Sequence, residues 1–404
     1  MPHNNLFCGV DIGGSHISVG LVDALGNLLL VVDHQLLNNA TVLADEIVAI
    51  IYDLIAQASY TLIDGDTLGK DGGDGNGDGN ASGNDRDSYN SKRIGHISAV
   101  GIGCPGQCKN GVLIVSANLP LLANSDLAAK LSDQLDGIPV TLVNDADAAV
   151  AAEVWSKETS AEYAHFKNVA MITLGTGIGL GLVLNRALFH GSNGLIEGGH
   201  MIIPSVEMPG AFPVLEERQC GCGQSNCVEV YASAKSVTKR YNEAKLLGDP
   251  ANNAPPPTGP VNAKYVFARA VKGDADAERI VDDAAKSLAL MVVNICRVVD
   301  PDVVIFGGGM AQAGEALLHR VRVHVKALSW KILPTDVKIV QAKSPTEAGI
   351  IGAAMAGKHA RGIEFKSKPG AMQTLQSWLP GVLSVTGIVV AGVLLWRGRK
   401  GLGV

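Results

Sequence analysis

A chain of 404 residues with 47% hydrophobic side chains is long enough to bury the cores of two ordinary domains. Its formal net charge of −6 leaves no basic stripe to neutralise phosphates, which argues against nucleic acid as a partner. Of its seven cysteines only three share a close spacing, which suits a reducing intracellular compartment better than a disulfide scaffold.

The opening residues hold no basic segment followed by an apolar one, so no secretory signal is expected. Residues 6–12, 17–23 and 28–32 read as strands joined by tight turns, the first at Gly13-Gly14. Val42, Leu43, Ile47, Ile50, Ile51, Leu54 and Ile55 recur at helical spacing and predict an amphipathic helix over 42–58. Residues 64–92 are dense in Gly and Asp and almost free of apolar side chains. Such a segment cannot offset its ordering entropy, so a disordered insertion is expected. An EF-hand loop is the alternative, but no Glu closes a loop of the required length.

Residues 97–102 predict a buried strand running into Gly103-Cys104-Pro105-Gly106, and 119–135 read as mostly helical. A strand at 139–143 ends in Asn144-Asp145 and leads into a helix at 146–155. Segments 169–174, 179–184 and 187–189 repeat the opening strand–turn–strand pattern. Indeed the run Gly14 to Val22 lines up with Gly175 to Val183, so the fold reads as two duplicated α/β lobes. A loop at 249–260, a long helix at 276–299, a strand at 303–306 before Gly307-Gly308-Gly309, and a helix at 346–359 follow. Residues 379–396 are apolar and uncharged, flanked by Trp378, Arg397, Arg399 and Lys400. That is about the shortest run that crosses a bilayer, so a C-terminal membrane anchor is expected, with a buried terminal helix as the alternative.

Three kinds of residue can carry chemistry. The first is a ligand set: His200 with Cys220, Cys222 and Cys227 supplies one imidazole and three thiolates, the complement of a closed structural Zn²⁺ site. Three unrelated buried thiols are the other reading. With all four positions filled, the metal would brace a loop whose carboxylates, Glu197 and Glu229, do something else. The second is a pair of glycine turns holding a hydroxyl, Asp11 to Ser15 (with Gly13 and Gly14) and Gly175-Thr176-Gly177. Such turns aim several backbone N–H groups at one point and suit phosphate oxygens, and Asp11 is a candidate ligand for Mg²⁺. An ordinary hairpin is the bland alternative for either turn. Third, Asp145 is a helix cap or a general base in an interlobe cleft, where phosphoryl transfer to a sugar needs a carboxylate near the attacking hydroxyl. Glu197, Glu229 and His200 would then accept from sugar hydroxyls.

Taken together, DIGGS at 11–15, NDADAA at 144–149, LGTGIGLGLVLN at 174–185, EGGH at 197–200, CGCGQSNCVE at 220–229 and FGGGM at 306–310 resemble the ROK family of sugar kinases, within the actin/hexokinase superfamily. The likeness covers roughly residues 6–361 without the insertion. It implies an α/β fold of two ribonuclease H-like lobes with an interlobe cleft, to which the sequence adds a C-terminal apolar helix. The expected division is a small lobe at 1–143, a large lobe at 144–365 and a tail at 366–404. The resemblance also implies ATP phosphates between Asp11–Ser15 and Gly175–Gly177, with Gly308-Gly309 on the adenosine side. Asp145 is implied as the base. Asn144, Glu197, His200 and Glu229 are implied as sugar contacts, with Gly106 and Asn118 in the smaller lobe. Ser15 stands where family members usually carry Thr, Asn226 where many carry Gly, and Asn118-Leu119-Pro120 lacks the Gly-Trp that commonly follows.

The reading that results is an ATP-dependent, glucokinase-like hexose kinase acting at the C6 hydroxyl. N-acetylmannosamine or N-acetylglucosamine kinase activity is the alternative within the class, and a membrane-tethered sugar sensor without turnover the alternative outside it. The same family includes DNA-binding repressors, which the acidic charge disfavours. A homodimer is implied, with the catalytic part in the cytoplasm and the tail held at an intracellular membrane.

Overall fold

The computed structural model describes residues 6–13, 16–36, 43–67, 97–116, 118–204, 217–247, 261–343 and 347–366. Gly14 and Ser15, the insertion beyond Thr67, the loop at 249–260 and the apolar run at 379–396 lie outside them. No helix among the described residues is long and apolar enough to cross a membrane.

Strands β1 (Leu6–Ile12), β2 (His16–Val22) and β3 (Leu28–Gln35) form an antiparallel meander. Next to β1, β4 (Ile97–Cys104) runs parallel, and β8 (Val140–Asn144) runs parallel to β4. The sheet order is therefore β3-β2-β1-β4-β8. Parallel neighbours need crossovers, supplied here by α1 (Ala44–Thr67) and α2 (Leu127–Gln134). The second sheet repeats the plan. A meander of β9 (Val169–Leu174), β10 (Ile178–Leu184) and β11 (Ala187–Leu188) is followed by parallel β12 (Val303–Gly307) and β13 (Lys338–Gln341), in the order β11-β10-β9-β12-β13. A small sheet of β5 (Gln107–Lys109), β6 (Val112–Val115) and β7 (Ser125–Asp126) extends from the end of β4. The remaining helices are α3 (Asp145–Trp155), α4 (Ser160–Tyr163), α5 (Glu229–Ala232), α6 (Ala234–Leu247), α7 (Ala263–Val271), α8 (Ala275–Val298), α9 (Glu315–Leu328) and α10 (Ala348–Lys366).

One expectation changes and another gains detail. The first helix runs to Thr67, so residues 64–67 of the expected insertion are helical. Leu62 and Ile63 continue the apolar period, and extending a formed helix adds a hydrogen bond for each residue fixed. The stretch 119–135 is not one helix. Asn124 adopts φ 59°, β7 pairs with β6, and only then does Asp126 cap α2 by accepting from Ala129 N–H at 2.9 Å.

Each sheet has its own core. Val10, Ile12, Ile47, Ile51 and Ile102 pack in the first; Ile172, Leu180, Val292, Phe306 and Leu317 pack in the second. Between the sheets α3 and α10 cross at their backbones. A Cβ on Gly352 would stand 1.8 Å from the Ala148 carbonyl oxygen, and one on Gly101 in β4 would stand 1.7 Å from that of Ala353. Only glycine permits such approach. The last described helix thus returns to the first sheet, although its neighbours in sequence build the second. Met1–His359 form one compact unit; of the second, Ala360–Val404, only the end of α10 is described.

Asp274 ties three helices together. It caps α8 through Ala277 N–H (3.2 Å) and accepts from Tyr241 Oη (2.7 Å), Lys245 Nζ (3.1 Å) and the Arg269 guanidinium (3.2 Å). Its side chain is fully enclosed. Burial alone would raise its carboxyl, but these donors hold it down at about 2. Removing it with Asp274→Ala should lower stability by on the order of 3 kcal/mol, because buried donors lose their acceptor. A depressed carboxyl contributes stability above its unfolded pKa and loses it as pH falls through the folded one. Urea midpoints should therefore differ fully at pH 6 and converge as pH drops from 4 towards 2.

Candidate active site

The parallel register brings three chain segments to one sheet end. Asp11 on β1 stands opposite Gly103, and Cys104 on β4 stands opposite Asn144, the last residue of β8. In open α/β sheets this carboxyl end of the strands is where ligands bind.

Asn144 holds the corner. Its Oδ1 accepts from Ala146 N–H at 2.8 Å, capping α3, while its Nδ2 donates to the Gly106 carbonyl at 2.8 Å. The helix cap is therefore Asn144, and Asp145 occupies the first helical position, where its Oδ1 shares the same Ala146 N–H at 2.9 Å. Asp145 keeps a solvent-exposed surface, yet protein surrounds it closely enough that lost hydration is the main influence on its carboxyl and raises it. The Ala146 N–H pulls it back, and the Asp147 charge raises it further.

Two other carboxylates feel this charge. Burial raises Asp11, which His16 lowers and Asp145 and Glu347 raise. Gly349, in the first turn of α10, packs so near that a Cβ there would lie 2.2 Å from Asp11 Oδ2. On the other side burial raises Glu197; His200 lowers it, and Asp145, Glu229 and Asp147 raise it. Asp145 is thus the charge that raises both Asp11 and Glu197.

The Gly175 turn and Gly308 meet at the end of β9. Gly175 N–H donates to the Gly177 carbonyl at 3.0 Å, and α6 begins against this turn through Ala234 N–H to the Gly175 carbonyl at 3.0 Å. Gly308, at φ 83°, sits over the end of β9, where a Cβ would be 2.6 Å from the Leu174 carbonyl oxygen. Gly309 opens the turn that follows. Glu229 joins the turn to the zinc-type hairpin: it accepts from Ile178 N–H at 2.9 Å and lies against Gly177. Thr176 and Glu229 open onto a cavity of about 680 Å³ that Lys235, Ser236 and Lys239 also line. Gly13 closes its own turn by donating to the His16 carbonyl at 2.9 Å. Asn118 is exposed between β6 and the short turn Pro120–Leu122.

The four metal-type residues come together, with every ligand atom within 4.8 Å of the others. Cys220 Sγ lies 3.6 Å from His200 Nδ1, and Cys222 Sγ lies 3.6 Å from Cys227 Sγ. A tetrahedral ion with bonds of ~2.3 Å to sulfur has edges of about 3.8 Å, so the donor set fits zinc in both chemistry and size. Asn226 at φ 63° makes the tight turn before the third thiol. The bridge between Ile202 and Cys227 fastens the His200 segment to the hairpin. An ion here would fix Glu197 and Glu229 from both flanks.

The sequence profile of the ROK family matches residues 87–359. A glucokinase from Thermotoga maritima is 30% identical over 368 residues, covering 88% of this chain and 97% of that protein. The chain belongs to the ROK family. An N-acetyl-D-glucosamine kinase from Escherichia coli is 34% identical over 226 residues, which is 54% of this chain and 68% of the relative. Among solved structures, a ROK family glucokinase from Streptomyces griseus, in complex with glucose and AMPPNP, aligns with a TM-score of 0.60 at 25% identity, over 88% of this chain and 99% of that one.

Some residues of this ROK protein's site escape sequence reasoning. Asp147, almost wholly buried, bonds His190 Nδ1 through Oδ2 at 2.7 Å. Cys108, Asp147, His190 and Glu197 line one small cavity beside Asn144. A second acid two residues after Asp145 in an alanine-rich helix is a signal, since it cannot share a face with the first and must find its own partner. Nothing local marks His190.

Proposed function

We propose that this ROK protein is an ATP-dependent hexose kinase, most like a glucokinase, that phosphorylates the C6 hydroxyl of glucose. The observation that carries this reading is Asp145. Burial raises its carboxyl, which stands at the carboxyl end of β8 and whose charge raises those of Asp11 and Glu197. A base works best when its pKa approaches the working pH, which poor hydration favours. Asp145 Oδ1 is engaged by Ala146 N–H, leaving Oδ2 to take the hydroxyl proton.

On this reading Glu197, Glu229, His200, Asn144, Asn118 and Gly106 orient the sugar. Asp11, Gly13, Gly14, Ser15, Gly175, Thr176 and Gly177 would flank the ATP phosphates, and Gly308 and Gly309 would bound the adenosine side. Mg²⁺ carried with ATP supplies charge neutralisation at the transferred group, and Asp11 is our candidate to hold it. Zinc at His200, Cys220, Cys222 and Cys227 would be structural. The E. coli relative favours a second acceptor, N-acetylglucosamine, by the same route.

ADP release should be measured with glucose, N-acetylglucosamine, N-acetylmannosamine and fructose. We expect glucose to give the highest kcat/KM. A higher value for an N-acetylhexosamine would move the assignment within the class. Sugar binding without ADP release from any of them would replace the kinase with a sensor.

A further inference from the structure

The segment leading to Glu197 is gripped from two sides. Its base is tied to α3, because His190 Nδ1 and Asp147 Oδ2 are 2.7 Å apart, two residues on from Asp145 in the same helix. Its tip is tied to the small sheet. Lys109 Nζ donates to Asn193 Oδ1 at 2.9 Å, and Gln107 Nε2 donates to the Asn193 carbonyl at 2.8 Å. Between these points Gly191 and Gly194 adopt φ 69° and 62°, and Gly194 lies so close to β5 that a Cβ would be 2.0 Å from the Cys108 carbonyl oxygen. The joint is tight: the cavity left between Cys108, Asp147, His190 and Glu197 is about 10 Å³. That is no more than one water occupies, so it is not where a sugar sits.

These contacts join elements that the sequence keeps far apart. Gln107 and Lys109 follow the first sheet's β4, whereas residues 190–194 follow the second sheet's β11. Between the two lobes, on the side of Glu197, they make a bridge. We propose that residues 190–194 are an interlobe latch, anchored on α3 by His190 and hooked to β5 by Asn193, which holds Glu197 in register with Asp145 when the cleft is shut. Neither His190 nor Asn193 is thereby a catalytic residue; both act by positioning. The coupling to sugar rests on the kinase reading above, whereas the latch itself does not.

The test has two arms on the full chain. Hydrogen exchange on the free protein reads the latch alone. Asn193→Ala should speed exchange at residues 107–109 and 190–197, and Asn193→Asp, which keeps an acceptor for Lys109, should restore protection. Steady-state kinetics reads the coupling. The Lys109 bond is lost while Gln107 keeps the main-chain carbonyl, and one net hydrogen bond of modest strength predicts that Asn193→Ala raises the sugar KM about fivefold, with kcat within about twofold, and that Asn193→Asp recovers most of it. Unchanged exchange at 107–109 in Asn193→Ala would overturn the latch whatever the sugar result. Changed exchange with an unchanged KM would overturn its link to sugar capture. Should the unaltered chain release no ADP with any sugar, the kinase reading falls, while the exchange arm still judges the latch.

Discussion

Asp145→Asn should lower kcat by on the order of 10²–10⁴-fold, the range expected when a general base is lost, while sugar affinity stays within about tenfold. The substitution preserves shape. The amide oxygen can still accept from Ala146 N–H, and Asn144 still caps α3. What disappears is the acceptor for the hydroxyl proton, together with one negative charge. Burial and Asp147 hold the Asp145 carboxyl above its ordinary range, so activity should fall on the acid side at a pH higher than a hydrated aspartate would give. In Asp145→Asn that acid limb should vanish from the residual rate. Loss of the charge also relieves Asp11 and Glu197, whose carboxyls it raises, so both should titrate lower in the variant. Single-turnover ADP release, with sugar binding measured separately, decides the matter. An unaltered kcat would remove Asp145 from its role.

The second large effect concerns the metal set. Cys222→Ser should release zinc, from about one ion per chain to nearly none, because three donors cannot close a tetrahedral structural site. Cys222 is the exposed member, whereas Cys220 and Cys227 are buried, so serine enters without burying a hydroxyl. The consequence should appear at Glu229. It lies two residues beyond Cys227, and its hold on Ile178 N–H depends on where the hairpin sits. Since Glu229 also lies against Gly177, the KM values for sugar and for nucleotide should rise together. Metal analysis by mass spectrometry and paired KM measurements test this. Full zinc occupancy in Cys222→Ser would refute the ligand set. Zinc loss with both KM values unmoved would refute the bracing role.

What could be read in the sequence was whatever short spacing controls. The zinc-type hairpin is local, since its three thiols fall within eight residues and only His200 comes from outside; all four meet. Both meanders were legible because their strands are mostly apolar and all their turns but Asn185-Arg186 carry glycine. The stretch 119–135 is mostly helical as read, but its break was not legible, because Asp126 stops one element and starts another, and capping outweighs apolar spacing at such a point. Other features depend on contacts that no window contains. Lys109 and Asn193 are 84 residues apart, and His190 lies 43 from Asp147. Neither pair has a motif, because an exposed lysine, asparagine or histidine is ordinary until its neighbour is known. Gly14 and Ser15 and the apolar run at 379–396 lie outside the described residues.

The return of α10 to the first sheet has a consequence for how the protein is made. Strands β1 and β4 leave the ribosome early, yet the backbone that covers Gly101 belongs to Ala353. At translation rates of about 5–20 residues per second, roughly 10–50 seconds separate the two. During that interval the nascent first lobe carries an uncovered glycine face, open to chaperones and to unwanted pairing. The half of the molecule synthesised first is the half completed last.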